Sequence, residues 1–192
     1  MIRRIFLGIL FASIPMFVIY WQLQKQQGVV YESNEEKNIG GSFSLIDQHG
    51  QKRASSEFAG KYQLIYFGYS FCPDICPLGL MNMGKALNLL KRNQERFVPI
   101  FITIDPKRDS VESLNLYAKN FNPRFVMLTG DTAAAQKKFY VFAEDSEDSK
   151  DGEINHSSWI YLMGPDGKFL QQFSHDIAPE LMAKNLLFYL NK

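Results

Sequence analysis

The sequence predicts an α/β domain built on a largely parallel central sheet and carried behind a single N-terminal membrane helix. Three observations predict it. Short apolar runs alternate with stretches of helical periodicity, the pattern of β–α–β units. The alternation closes on two strand-like runs around GPDG, a turn signal, followed by one more helix. The chain also opens on a run of seventeen uncharged residues, 5–21.

That opening reads MIRRIFLGILFASIPMFVIYWQLQK. Seventeen helical residues rise about 26 Å, close to the thickness of a bilayer core. Pro15 is tolerable in a membrane helix, and Tyr20 and Trp21 end the run as aromatics do at a membrane interface. A cleaved signal peptide would want small residues at an A-x-A-like site, and IYWQLQKQQ offers none. The expectation is an uncleaved anchor over residues 1–25. Arg3 and Arg4 keep the N-terminus on the cytoplasmic or matrix side, so the rest faces a compartment where disulfides persist. The polar stretch QLQKQQGVVYESNEEKNIGG lacks periodicity and reads as a tether. The expected divisions are an anchor over 1–25, a linker over 26–42 and a folded domain over 43–192.

Within the domain, FSLID, QHGQ and KRASS predict a hairpin turning at His49-Gly50. QLIYFGY (63–69) reads as a buried strand. Beyond Pro77, apolar residues recur at Leu80, Met83, Leu87 and Leu90, a helical spacing, and proline suits a first helical turn. FVPIFITI (97–104) is the next strand. Ser110 can cap a helix with Leu114, Tyr117 and Phe121 on its apolar face. FVML (125–128) is a third strand, and a helix over 131–142 follows. The acidic EDSEDSKDGE (144–153) reads as an exposed loop. SSWIYLM and KFLQQFS form the closing hairpin, and APELMAKNLLFYL the final helix. This order is that of a thioredoxin-like layout, in which the first core strand delivers reactive cysteines to the start of the next helix.

Composition narrows the function. Hydrophobic residues make up 46% of the 192-residue chain and aromatics 14%, as in a packed globular protein. The net charge is +1, with no basic surplus to neutralise a nucleic-acid backbone. The two cysteines, Cys72 and Cys76, lie in FGYSFCPDICP, between the first core strand and its helix. Residues i and i+4 of a helical turn share a face, so the thiols can point at one partner. A helix N-terminus favours thiolate, the form that binds metal and exchanges disulfides. Two thiolates select a soft metal, Cu(I) before Zn(II), and imidazole is the commonest further ligand. Three histidines are available. His49 sits in a polar turn, His175 precedes the last helix, and His156 lies between the acidic loop and a strand. On the residues alone, His156 is one candidate among three. Met81 and Met83 read as core fillers rather than thioether ligands.

FGYSFCPDICP, with FITIDPKRDS, NPRFVMLTG and INHSSWIYLMGPDG, closely resembles the Sco/SenC family of copper proteins over nearly the whole domain. The resemblance implies that Cys72, Cys76 and His156 hold copper, as Cu(I) or Cu(II). It also implies a role in delivering copper to, or maintaining the thiols of, the Cu-A centre of cytochrome c oxidase. The implied partner is oxidase subunit II or another periplasmic copper or thiol protein. Asp74, between the cysteines, either tunes the site from behind the ligands or caps the helix. Asp105, in IDP, is a further tuning candidate, though turn formation explains it as well. The chain departs from the family pattern at Asn155, where an acidic residue often precedes the histidine, and at Phe71, where histidine often precedes the first cysteine.

The expected function is a membrane-anchored copper carrier in a bacterial inner membrane, domain outward; the alternative is the mitochondrial inner membrane. The competing activity is thiol–disulfide oxidoreduction, with Cys72 and Cys76 as a redox-active disulfide. A peroxiredoxin-like site would want threonine or serine where Tyr69 stands. A purely structural disulfide would close too short a loop to restrict the unfolded chain much.

Overall fold

The computed structural model describes residues 30–31, 38–145 and 152–191. The expected anchor lies outside these residues. Among them, no helix is long and apolar enough to cross a membrane.

In chain order, β1 (Val30–Tyr31) precedes the expected hairpin β2 (Ser44–Asp47) and β3 (Lys52–Ala54). A 3-10 turn, Ser55–Phe58, leads to β4 (Tyr62–Gly68). Helix α1 (Ile75–Leu89) and the 3-10 segment Lys91–Arg96 connect β4 to β5 (Phe97–Thr103). Then come α2 (Val111–Ala118), β6 (Val126–Thr129), α3 (Ala133–Lys138), β7 (Ala143–Asp145) and β8 (Ile154–His156). The chain closes with β9 (Trp159–Met163), β10 (Phe169–Ser174) and α4 (Pro179–Leu190).

Eight strands form one sheet in the order β1-β10-β9-β4-β5-β6-β2-β3. Only β4–β5 and β5–β6 are parallel; β9, β10, β2 and β3 join antiparallel, so the sheet is mixed rather than mainly parallel. The run β10-β9-β4-β5, with α1 following β4 and α4 following β10, is the thioredoxin-like core that the element order predicts. β6 and the β2–β3 hairpin extend one edge. At the other, Val30–Tyr31, within the stretch read as linker, pair with Phe173 and Gln172.

β4 is the central strand because it is apolar on both faces, as a strand covered on both sides must be. Its even-numbered residues face α1 and α4. Tyr62 donates its hydroxyl to the Tyr189 carbonyl (2.7 Å), Tyr66 donates to that of Ile75 (3.3 Å), and Gly68 lies under Cys76. On the other face Phe67 packs against Phe139 and Tyr161, with ring centroids 5.3 and 6.1 Å away.

Two further expectations are corrected. The helix expected over 131–142 is only Ala133–Lys138. Tyr140 turns left-handed (φ +54°) and the Val141 amide bonds back to the Gln136 carbonyl (2.9 Å), which closes the helix. That cap normally uses glycine, so the sequence carries no visible stop. The acidic stretch is also not simply a loop. β7 pairs antiparallel with β8, Ala143 opposite His156, in a two-stranded sheet separate from the main one. The intervening residues 146–151 lie outside those described.

Phe67 has no exposed surface. Phe67→Ala should lower unfolding stability by about 3–5 kcal/mol in urea denaturation. Leu116→Ala, at a position 59% exposed, should stay within about 0.5 kcal/mol.

Candidate metal centre

β4 ends at Gly68, and the chain turns through Tyr69, Ser70 and Phe71 before α1 begins at Ile75. Cys76 is therefore in the first turn of α1, whereas Cys72 lies in the turn before it. The thiols do not share a helical face, as their spacing suggests; the tight turn folds Cys72 back over the helix start. Cys76 is fully buried and Cys72 is 8% exposed, and neither is in a disulfide.

Gly68 makes room for this arrangement. A Cβ there would lie 2.7 Å from the Cys76 Sγ and 3.0 Å from the Phe101 ring. Below the turn, the fully buried Asp109 accepts from the Ser70 amide (3.0 Å) and hydroxyl and from the Thr103 hydroxyl (2.6 Å). A buried carboxylate without a cation is tolerable only when hydrogen-bonded in this way. These bonds fix the backbone two residues before Cys72.

His156 ends β8, 80 residues after Cys76, and is half-buried. Its Nε2 lies 3.4 Å from the Cys76 Sγ. Its Nδ1 lies 2.9 Å from the Ser157 carbonyl oxygen, to which it donates. That bond turns Nε2 to the sulfurs and keeps a nitrogen there for a metal. Tyr69 locks the histidine in place. Its ring meets the imidazole edge-on at 5.8 Å, and its hydroxyl accepts from the Ile154 amide (3.1 Å).

The ligand atoms of Cys72, Cys76 and His156 lie within 4.8 Å of one another. Thiolate and imidazole donors bind first-row metals at about 2.0–2.3 Å, which sets three donors around one ion roughly 3.5–4 Å apart. The trio therefore fits a metal with only slight contraction. Among the described residues it is the only such group of three.

The two thiols differ in acidity. Cys72 is pulled well below its ordinary value, to about 4. The hydrogen bond from Cys76 contributes most, ahead of the His156 ring and the backbone amides of Asp74 and Cys76; burial opposes all of these. Cys76 is pushed up, because it gives its proton to the shared hydrogen bond and is itself buried beside a negative neighbour. Without metal, the pair is one thiolate and one thiol.

The other candidates fall elsewhere. His49 is exposed beside Asn115, and the His175 carbonyl accepts from Asn82. Met83 is buried core, as read, but Met81 is 45% exposed. Asp74 stands at the helix cap position, yet its side chain makes no capping bond; its backbone amide is what reaches Cys72. Asp105 pairs with Arg108, whose guanidinium lies 5.4 Å from the ring centroids of Tyr69 and Phe71. Sequence reasoning missed Gly68, Asp109 and Tyr69 as supports. Gly68 carries the one available signal, a glycine ending a buried strand just before the motif.

The SCO1/SenC family profile matches residues 31–191. A SCO2-like protein of Rickettsia conorii is 40% identical over 163 residues, covering 82% of this chain and 78% of its own length. A mitochondrial SCO2 homologue of Mus musculus is 35% identical over 174 residues, covering 86% of this chain and 67% of its own. Among solved structures, Bradyrhizobium japonicum ScoI with copper bound superposes with a TM-score of 0.72 at 35% identity, over 79% of this chain and 99% of that one. BsSco, described as having a disulfide switch and as a member of the Sco family of cytochrome c oxidase assembly proteins, gives 0.61 at 25% identity, over 74% and 87%.

Two outcomes follow from this geometry. Gly68→Ala should displace the Cys76 thiol and weaken metal binding about tenfold or more, with the fold retained by circular dichroism. Thiolate is the reactive form, so Cys72 should react with iodoacetamide at a nearly constant rate from about pH 5.5 to pH 7.5, losing reactivity only as pH falls toward 4. Peptide mapping should find Cys76 spared until the protein unfolds.

Proposed function

The chain belongs to the SCO1/SenC family, and from that premise we propose that it is a membrane-anchored copper carrier serving cytochrome c oxidase assembly. Cys72, Cys76 and His156 hold the copper and pass it to a Cu-A-type acceptor. The observation that carries this reading is the meeting of two thiols and one imidazole nitrogen from segments 80 residues apart. Two sulfurs and one nitrogen are a donor set for a soft ion, and Cu(I) suits it better than Zn(II), which prefers four ligands. The copper bound in the Bradyrhizobium relative supports the choice.

The residues divide the work. Cys72 is already thiolate and slightly exposed, so it takes the ion first. Cys76 then gives up its proton, and binding releases acid. His156 supplies the third donor from a separate hairpin. An incoming acceptor thiolate can replace donors one at a time from the less deeply buried Cys72 side, so the ion is never without ligands.

The anchor over 1–25 and the placement outside a bacterial or mitochondrial inner membrane belong to the same proposal. They rest on the apolar run and on relatives from both rickettsiae and mitochondria. One second reading has a specific observation behind it. The adjacent low-pKa thiolate and thiol can also reduce an acceptor disulfide. Cys72 and Cys76 then form their own disulfide as two electrons pass to the acceptor, and the disulfide switch described for BsSco supports this as a second state of the pair.

The reduced protein should bind one Cu(I), and Cys72→Ser or Cys76→Ser should abolish tight binding. His156→Ala should weaken it about a hundredfold or more in a competition titration. Undiminished affinity in His156→Ala would remove the imidazole from the site, and delivery of copper to an apo Cu-A domain tests the carrier role.

A further inference from the structure

The hairpin that carries His156 is a two-stranded sheet outside the main one. Such a hairpin is marginal by itself and depends on what it leans against. Its attachment at the site includes the Ile154 amide on the Tyr69 hydroxyl and the edge-on contact of Tyr69 with His156. A third contact involves Arg108. A Cβ on Gly152, two residues before β8, would lie 3.1 Å from the Arg108 Nη1, so the backbone passes close to the guanidinium there, at a glycine with φ +68°.

Arg108 is fixed from the other side. Its Nε pairs with the Asp105 carboxylate, which is nearly buried. Its guanidinium carbon lies 5.4 Å from the centroids of both Tyr69 and Phe71. One side chain thus bears on the neighbour of Cys72 and on the residue that anchors Ile154, and lies close to the backbone leading into β8. This also accounts for Phe71, which stays 59% exposed as one of the two rings bearing on the guanidinium.

We propose that Arg108 is a positioning residue that ties the His156 hairpin to the cysteine turn and so keeps the three donors assembled. The role needs arginine. A flat guanidinium can meet two aromatic faces while its Nε stays paired, whereas an ammonium is a point charge on a flexible stem. The proposal rests on the copper reading for its consequence, but the hairpin's attachment can be read without metal.

The test compares the full chain with Arg108→Ala, Arg108→Lys, Phe71→Leu and, as a control, the exposed neighbour Lys107→Ala. In the reduced, metal-free proteins, hydrogen exchange of the Ile154 amide should accelerate about tenfold in both Arg108 variants, with β4 and β5 amides unchanged. Phe71→Leu, at an exposed site, should give a smaller change in the same direction, and Lys107→Ala none. Cu(I) affinity measured against a chromogenic chelator should fall about 10–100-fold in the Arg108 variants. Wild-type exchange at Ile154 in Arg108→Ala would overturn the proposal, as would full restoration by lysine, which would leave only charge. If Arg108→Ala also loses protection in β4, the Phe71→Leu exchange decides. A wild-type chain that binds no Cu(I) would sink the carrier reading while leaving the exchange result to judge the hairpin.

Discussion

The site depends on where the Cys76 sulfur can sit. It has no exposed surface, lies in the first turn of α1, and occupies the space that a side chain at position 68 would fill. Close packing gives it no second place to go. The other two donors come to it. Cys72 is folded back by a turn whose backbone is held by Asp109, and His156 is brought in on a hairpin held by Tyr69. The central strand β4 supports both, since Gly68 and Tyr69 are its last residue and the one after it. A core strand thereby sets the position of three donors that come from a helix start, a turn and a separate hairpin.

Electrostatics explains why the fixed sulfur is the protonated one. Two thiolates this close in a partly buried site would repel strongly, since water screens them little. One proton stays on Cys76, and its hydrogen bond to Cys72, with lesser help from the His156 ring and the backbone amides of Asp74 and Cys76, favours the charge on Cys72. A cation removes the conflict. It compensates both sulfurs at once, and the second proton leaves. The buried carboxylate of Asp109 acts through its hydrogen bonds, accepting from Ser70 and Thr103. It serves as a fixed peg.

The sequence made the core legible because strands and helices there obey simple periodicities. QLIYFGY and FVPIFITI are apolar throughout, and GPDG marks its own turn. The end of α3 was not legible, because Tyr140 closes it where glycine would have announced the stop. The β7–β8 pair was hidden by composition: Ala143–Asp145 is a short strand that begins an acidic run. In the site, the cysteines declared themselves. His156 is the favoured histidine on the residues alone, but only the family resemblance makes it a firm ligand, since its place depends on pairing across a hairpin. Asp105 and Asp109 lie in one charged turn, IDPKRDS, and both are buried; only the fold shows that Asp109 is the one that reaches Ser70 in the cysteine turn.

The C-x-x-x-C spacing now has a structural meaning. Had both thiols been on one helical face, both would be held by the same rigid turn. Instead Cys76 belongs to the helix, and Cys72 to a turn fixed at Ser70 but free of regular structure at Pro73 and Asp74. One sulfur is packed into the core at the helix start, and the other lies in a turn that no regular element fixes. A metal held by both sulfurs would draw in His156; a disulfide between them would have no use for it. On the proposed reading, the imidazole on its own hairpin is what would separate the two states of a single cysteine pair, and whatever steadies that hairpin would bias the choice toward metal.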